Sequence, residues 1–143
     1  MREIQFRGKV SSEILYGNIK SDGTWVYGFY KDKLGLPTIS EFDLSRANYV
    51  DYEIDRTTLG QYINKVDKNN VKVYEDDIVK YVYEYQDGTA ESIGFVYYNY
   101  ERSTFCVRYR LDDFETDDFF EDMVSFEVIG NIHDNPELLE EGL

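Results

Sequence analysis

A chain of 143 residues with 14 Tyr, 9 Phe and only two Ala has the composition of a strand-rich domain, since aromatic side chains favour extended backbone and alanine favours helix. Its net charge of −14 is uneven: residues 1–60 hold 8 basic and 9 acidic side chains and residues 61–143 hold 7 and 20, so the second half works against groove binding of phosphates by counterion release. The single cysteine, Cys106, excludes an intramolecular disulfide and an all-cysteine metal site, and no apolar run approaches the roughly 20 residues of a membrane helix. The start, MREIQFRGK, has charges where a secretory signal needs an apolar core, so the expected protein is soluble and cytoplasmic.

The length sets the expectation of one unit over 1–143, with an amino-terminal β subregion at 1–60 and a second subregion at 61–143. Arg2–Phe6 alternates and reads as an opening strand. Glu13–Lys20 and Thr24–Lys31 flank Ser21-Asp22-Gly23, whose residues tolerate positive φ, and so read as a hairpin. In the second arm Trp25, Tyr27 and Phe29 share a face, which is assigned to the core; Trp25, Tyr27 and Val79 are expected to be buried. Leu34–Ala47, with Pro37, reads as a loop with a helical turn at Ser40–Ala47. Val50, Tyr52 and Ile54 alternate with Asp51, Glu53 and Asp55 as a strand with one wet side.

Asp67-Lys68-Asn69-Asn70 is a polar turn leading into the strongest strand signal, VKVYEDDIVKYVYEY at Val71–Tyr85, interrupted once by an acidic corner. Val79, Tyr81, Tyr83 and Tyr85 face one way, up to a turn at Gln86-Asp87-Gly88. Ile93, Phe95 and Tyr97 begin the next strand, Phe105, Val107 and Tyr109 another, and Phe126 and Val128 the last. Asn135-Pro136-Glu137 supplies a cap, a first-position proline and a first-turn acid for a short helix at Pro136–Glu141. Short strands on short turns predict a mainly β fold: a small barrel or roll in the carboxy-terminal half, with additional amino-terminal strands and one short carboxy-terminal helix.

Several blocks carry a resemblance. REIQFRG, WVYG at Trp25–Gly28, GQY at Gly60–Tyr62, DKNN followed by YEDDIVK, and FEVIGNIHDNPELLE at Phe126–Glu140 together resemble the YopX family of phage and prophage proteins, in order and from end to end. The resemblance implies a mostly β fold whose carboxy-terminal part is similar to an SH3-like barrel, and a phage-encoded, intracellular setting. It supplies no catalytic residues. Family members carry Gly where this chain has Asn70 and Asp76, Thr-Gly where it has Ile63-Asn64, and Tyr where it has His133.

No residue pattern points to catalysis. His133 stands alone before a helix start, at a position where the family accepts an aromatic ring that is no base near neutral pH. Arg108 and Arg110 share a strand face with Cys106 and could lower a thiol pKa, but no base is tied to it. Leu111–Asp122 holds seven acids and no base; Asp113, Glu115 and Asp117 have the spacing of a calcium loop, yet Asp118 replaces its Gly and Val124 its bidentate Glu, so no metal site and no cofactor is assigned. This run reads as a solvated loop. Its functional reading is a docking patch in which Asp112, Asp113, Glu115, Asp117 and Asp118 supply charge and Phe114, Phe119 and Phe120 supply apolar anchors.

The functional expectation is a non-enzymatic phage accessory protein that binds a host or phage protein. The alternatives are an acidic mimic of nucleic acid that occupies a basic host protein, and an enzyme using scattered carboxylates. A homo-oligomer joined through residues 1–60 is also expected, because that half is nearly neutral and aromatic residues make up 17% of the chain.

Overall fold

The computed structural model describes residues 1–11, 20–110 and 115–141. They form ten antiparallel strands and two short helical segments, in two compact units, Met1–Tyr62 and Ile63–Leu143. A mainly β fold is what the composition requires.

β1 (Phe6–Val10), β2 (Trp25–Lys33), β3 (Leu36–Asp43) and β4 (Asn48–Val66) pair in that order, and of these only the end of β4, past Tyr62, belongs to the second unit. β1 also returns to β4, with Phe6 opposite Gln61 and Val10 opposite Ile54, so that the pairings run round a partial barrel. Val10, Val26, Ile39, Tyr52 and Ile54 fill its interior, each at most 2% exposed. A Cβ on Gly8 would stand 2.5 Å from Ile54 Cδ1 and 3.2 Å from its Cβ, so the buried Ile54 side chain would have to shift.

Three expectations are corrected in the first unit. The opening strand is Phe6–Val10 rather than Arg2–Phe6, and it is β1 that pairs with the start of β2, Lys9 opposite Trp25; of the expected first hairpin arm, all but Lys20 lies outside the described residues. Leu34–Ala47 is not a loop, because Leu36–Asp43 is a central strand. Its hairpin turn is Leu34-Gly35, at φ 55° and 83°, a two-residue turn with positive φ at both positions. Leucine at the first of them conceals the turn, and Pro37 is tolerated because it pairs with Asp32 next to that turn, at the end of the ladder. The face of β2 assigned to the core is the outer one: Val26 is fully buried, whereas Tyr27 and Phe29 are exposed at 39% and 56%. Trp25 is half-buried, with Arg7 4.7 Å and Lys9 5.5 Å above its ring. A pleat sends alternate residues to opposite sides, and the side turned to the interior here carries Val26, which packs with Val10, Ile39, Tyr52 and Ile54.

In the second unit, β5 (Lys72–Tyr74) lies beside β4. β6 (Asp77–Tyr85), β7 (Gly88–Asn99), β8 (Thr104–Arg110), β9 (Glu115–Asp118) and β10 (Met123–Asn131) form a sheet in the order β10-β6-β7-β8-β9. Among the described residues this order is open, and the pairings that run round a ring belong to the first unit. Val79 and Tyr81 are fully buried, as their alternation predicts, with Ile63, Val73, Val96, Val107 and Phe120 around them. Ile78 is equally buried, so both faces of β6 are covered at its start. On β7 it is Val96, not the Ile93, Phe95 and Tyr97 set, that is fully enclosed.

The polar turns are where they are expected. Asn70 and Asp76 take φ 67° and 72°, and Asn64 takes 62°, the left-handed backbone that Asn and Asp tolerate best among residues with a side chain. The helix α1 (Glu137–Glu141) follows Asn135-Pro136.

Candidate interaction surface

Of the acidic run, Asp112, Asp113 and Phe114 lie outside the described residues. Glu115–Asp118 is the strand β9, paired to β8 with Arg108 opposite Asp117, and not a solvated loop. Asp118 accepts a hydrogen bond from the buried Tyr81 hydroxyl; burial and that carboxylate push the phenol well above its ordinary range. Asp117 stands 3.5 Å from the Arg108 guanidinium and accepts from Asn99 Nδ2 at 3.1 Å. Arg108 in turn lies 4.5 Å over the Tyr97 ring. Phe120 is 5% exposed and meets Phe126 edge to face at 5.0 Å, because the chain turns inward at the short 3-10 segment Phe120–Asp122. It is core, and the reading of Phe120 as an exposed anchor is corrected. Phe119 is half-buried beneath Arg102, 5.5 Å away. Asp117 and Asp118 are thus engaged within their own unit, Asp117 beside a guanidinium and Asp118 with a neutral hydroxyl.

Cys106 is fully buried, and burial raises its thiol pKa despite the nearby Arg108. A buried thiol held in its neutral form is a poor nucleophile. In the folded protein it is expected to react with a water-soluble disulfide reagent at least about 100-fold slower than in denaturant, where local access no longer limits it; a fast native reaction would show an open path to the sulfur. His133 Nε2 lies 3.0 Å from Asp76 Oδ2 and ties the stretch after β10 to the acidic corner, which makes it a packing ring with a partner. Among the described residues, no three His, Cys, Asp or Glu side chains are grouped to hold a metal ion, and no helix is long and apolar enough to cross a membrane.

The feature that sequence reading assigned to the wrong side of the sheet is the outer face of β2, β3 and β4. Pairing sets Phe29 opposite Ser40, Ser40 opposite Asp51, and Phe42 opposite Tyr49, so all five project from one surface. That surface has two halves. In one, Asp51 holds Lys31 at 2.8 Å and Lys33 at 3.1 Å and accepts from the Ser40 hydroxyl; the hydrogen bonds from Lys31 and Ser40 bring its carboxyl down to about 2. In the other, Phe29 meets Tyr49 at 5.8 Å and Tyr49 meets Phe42 edge-on at 5.2 Å, with the three rings 56%, 51% and 47% exposed. A groove of about 340 Å³ opens there, lined by Glu3, Ile4, Gln5, Tyr27, Gly28, Phe29, Phe42 and Tyr49. Glu41 stiffens its edge: one carboxylate oxygen accepts from the Tyr27 backbone N–H at 2.8 Å and the other pairs with Lys20. The alternation of Trp25, Tyr27 and Phe29 was the signal that could have located this face.

Fold and surface together define a mainly β protein of two units, each built of antiparallel strands, that presents an aromatic groove to solvent on the first. The chain belongs to the YopX protein family, whose model matches residues 10–140. No curated protein matches it.

Proposed function

We propose that this chain is a non-enzymatic protein-interaction module of phage or prophage origin, working inside the host cell, and that it holds its partner through the aromatic groove of its amino-terminal unit. One observation carries the reading: four aromatic side chains, Tyr27, Phe29, Phe42 and Tyr49, converge on one groove yet are 39–56% exposed. Folding has already enclosed Val26, Ile39, Tyr52 and Ile54 on the other side of the same strands. Rings gathered at a concave surface and left wet are the composition of an interface centre, where aromatics supply most of the binding energy.

The test is affinity capture from host cells carrying the phage or prophage, with the wild-type chain and a Phe29→Ser, Tyr49→Ser variant side by side. Both rings are half-exposed, so the variant should fold with a loss of no more than about 1 kcal/mol. The wild type should retain a specific protein and the variant should lose most of it, as truncation of two hot-spot rings lowers affinity at least about 30-fold. Equal recovery by both, with the variant folded, would remove the groove as the site.

A further inference from the structure

We infer that, when no partner fills it, the groove is covered by a second copy of this chain, ring face against ring face. This rests on the reading of the groove as a protein-binding site and adds what regulates access to it.

Register defines the surface that meets itself. Leu36, Thr38, Ser40 and Phe42 alternate to the outer side of β3, with Lys31 of β2 and Glu53 of β4 on either side of Thr38. Thr38 and Ser40 are short, so no long polar side chain of β3 stands in the middle of the face. At one end Tyr49 meets both Phe29 and Phe42, and at the other stand Lys31, Lys33, Asp51 and Glu53, two charges of each sign. A face whose charges balance meets an identical face without net repulsion, and a two-fold axis lets the same rings serve both copies. The second half resists such pairing: residues 61–143 hold 7 basic and 20 acidic side chains, and two such surfaces repel.

Size sets the strength. Four aromatic side chains about half exposed, at roughly 150–250 Å² each, offer roughly 400 Å². Ile4 on the groove wall is 56% exposed, and Leu36 on the same sheet face is 41% exposed. A transient complex buries up to about 600 Å² from each partner, where a stable one takes about 800 Å². The rings, with Ile4, Leu36 and the charged row, reach the first figure and not the second. The pair is therefore weak and exchanges readily, as a cover that yields to a partner must.

The experiment is sedimentation of the full chain from about 1 µM to about 1 mM, which should show monomer and dimer in exchange with a Kd on the order of 100 µM. The Phe29→Ser, Tyr49→Ser variant should weaken the pair at least about tenfold. A Tyr85→Ser, Val124→Ser variant, at positions 55% and 56% exposed in the second unit, should leave it unchanged. A near-native Tm confirms that each variant folds. Raising salt from about 0.05 to 0.5 M should tighten the dimer at least about threefold, because it screens the repulsion between two chains of −14 and leaves the apolar contact in place. The complex recovered by affinity capture should hold one copy of the chain, since partner and copy need the same rings.

A monomer throughout the concentration range overturns the inference and leaves the groove to its partner alone, which the capture experiment judges separately. A dimer that persists in the ring variant, weakens equally in both variants or dissolves as salt rises is held by another surface and overturns it too. So does a mass that grows past two copies, because a face that meets itself closes at the dimer. Two copies in the captured complex would show that copy and partner do not compete, and the regulatory reading would fall.

Discussion

A Gly28→Ala variant is expected to lose roughly 3 kcal/mol of stability or more, at the severe end of overpacking, with a Tm about 10 °C lower. A Cβ at this position would stand 1.9 Å from the Ser40 carbonyl oxygen and 3.2 Å from Glu41 Cα, and both are backbone atoms of the neighbouring strand, which cannot swing aside as a side chain would. Gly28 is also where β2 changes partners. Residues 25–28 pair with β1 and residues 29–33 with β3, so the backbone must bend closely past β3 at that point. The comparison variant is Gly35→Ala, at φ 83° in the turn between β2 and β3, where a Cβ meets nothing within 4 Å. It carries only the backbone strain of a left-handed alanine, about 1 kcal/mol. Thermal melts of both variants decide the matter: equal losses would show that the strands separate at Gly28 at little cost. Because Gly28 lines the groove, the variant should also lose the captured partner along with its fold.

The second large effect concerns Asp67, only 5% exposed in the turn between β4 and β5. Its carboxylate accepts backbone N–H groups of Asn69 at 2.8 Å, Val71 at 2.9 Å and, 61 residues away, Val128 of β10 at 2.9 Å. Asp67→Ala removes the acceptor for three donors at once. Leaving a buried donor unpaired costs about 1–3 kcal/mol, so with partial access of water at the turn the loss should be roughly 3–4 kcal/mol. Burial raises the carboxyl pKa, but the bonds from Val128, Val71 and Asn69 outweigh it and the net shift is downward. With the folded pKa depressed below the unfolded value, the contribution is present above about pH 3.9 and is lost as pH falls through the folded pKa. The wild type should therefore lose stability on acidification over that window more steeply than Asp67→Asn. Denaturant titrations at pH 7, 4 and 3 check both statements; parallel pH profiles would show that the carboxylate charge contributes nothing.

Much of the strand pattern was legible because it rests on local chemistry. Val79 and Tyr81 alternate with polar neighbours and are core. The Asp67–Asn70 turn needs short polar side chains and positive φ, and it has them. Less legible were places where a residue's type belies its role. Leu34 occupies a hairpin-turn position that Asn would have announced, and so β3 was hidden. Seven acids at 111–122 suggested open solvent, yet Arg108, Asn99 and Tyr81 meet Asp117 and Asp118 within the sheet, and Phe120 is core.

By itself, the sequence determined that the chain is mainly β, where its polar turns fall, that its acid lies in the second half, and which family it belongs to. These follow from the propensities of single residues, from spacing two residues apart and from ordered blocks, all of which survive without knowledge of partners. Which side of each strand faces inward was decided only by tertiary structure. Alternation makes two faces distinct but does not say which one is enclosed. For β2 the answer came from the return of β1 to β4, which makes an interior wide enough for Val26 and leaves Tyr27 and Phe29 outside with Phe42 and Tyr49. The groove is on the outer side because strands far apart in the chain pair round a partial ring whose interior is already filled by Val10, Val26, Ile39, Tyr52 and Ile54, and alternation then leaves the next residues of β2 outside.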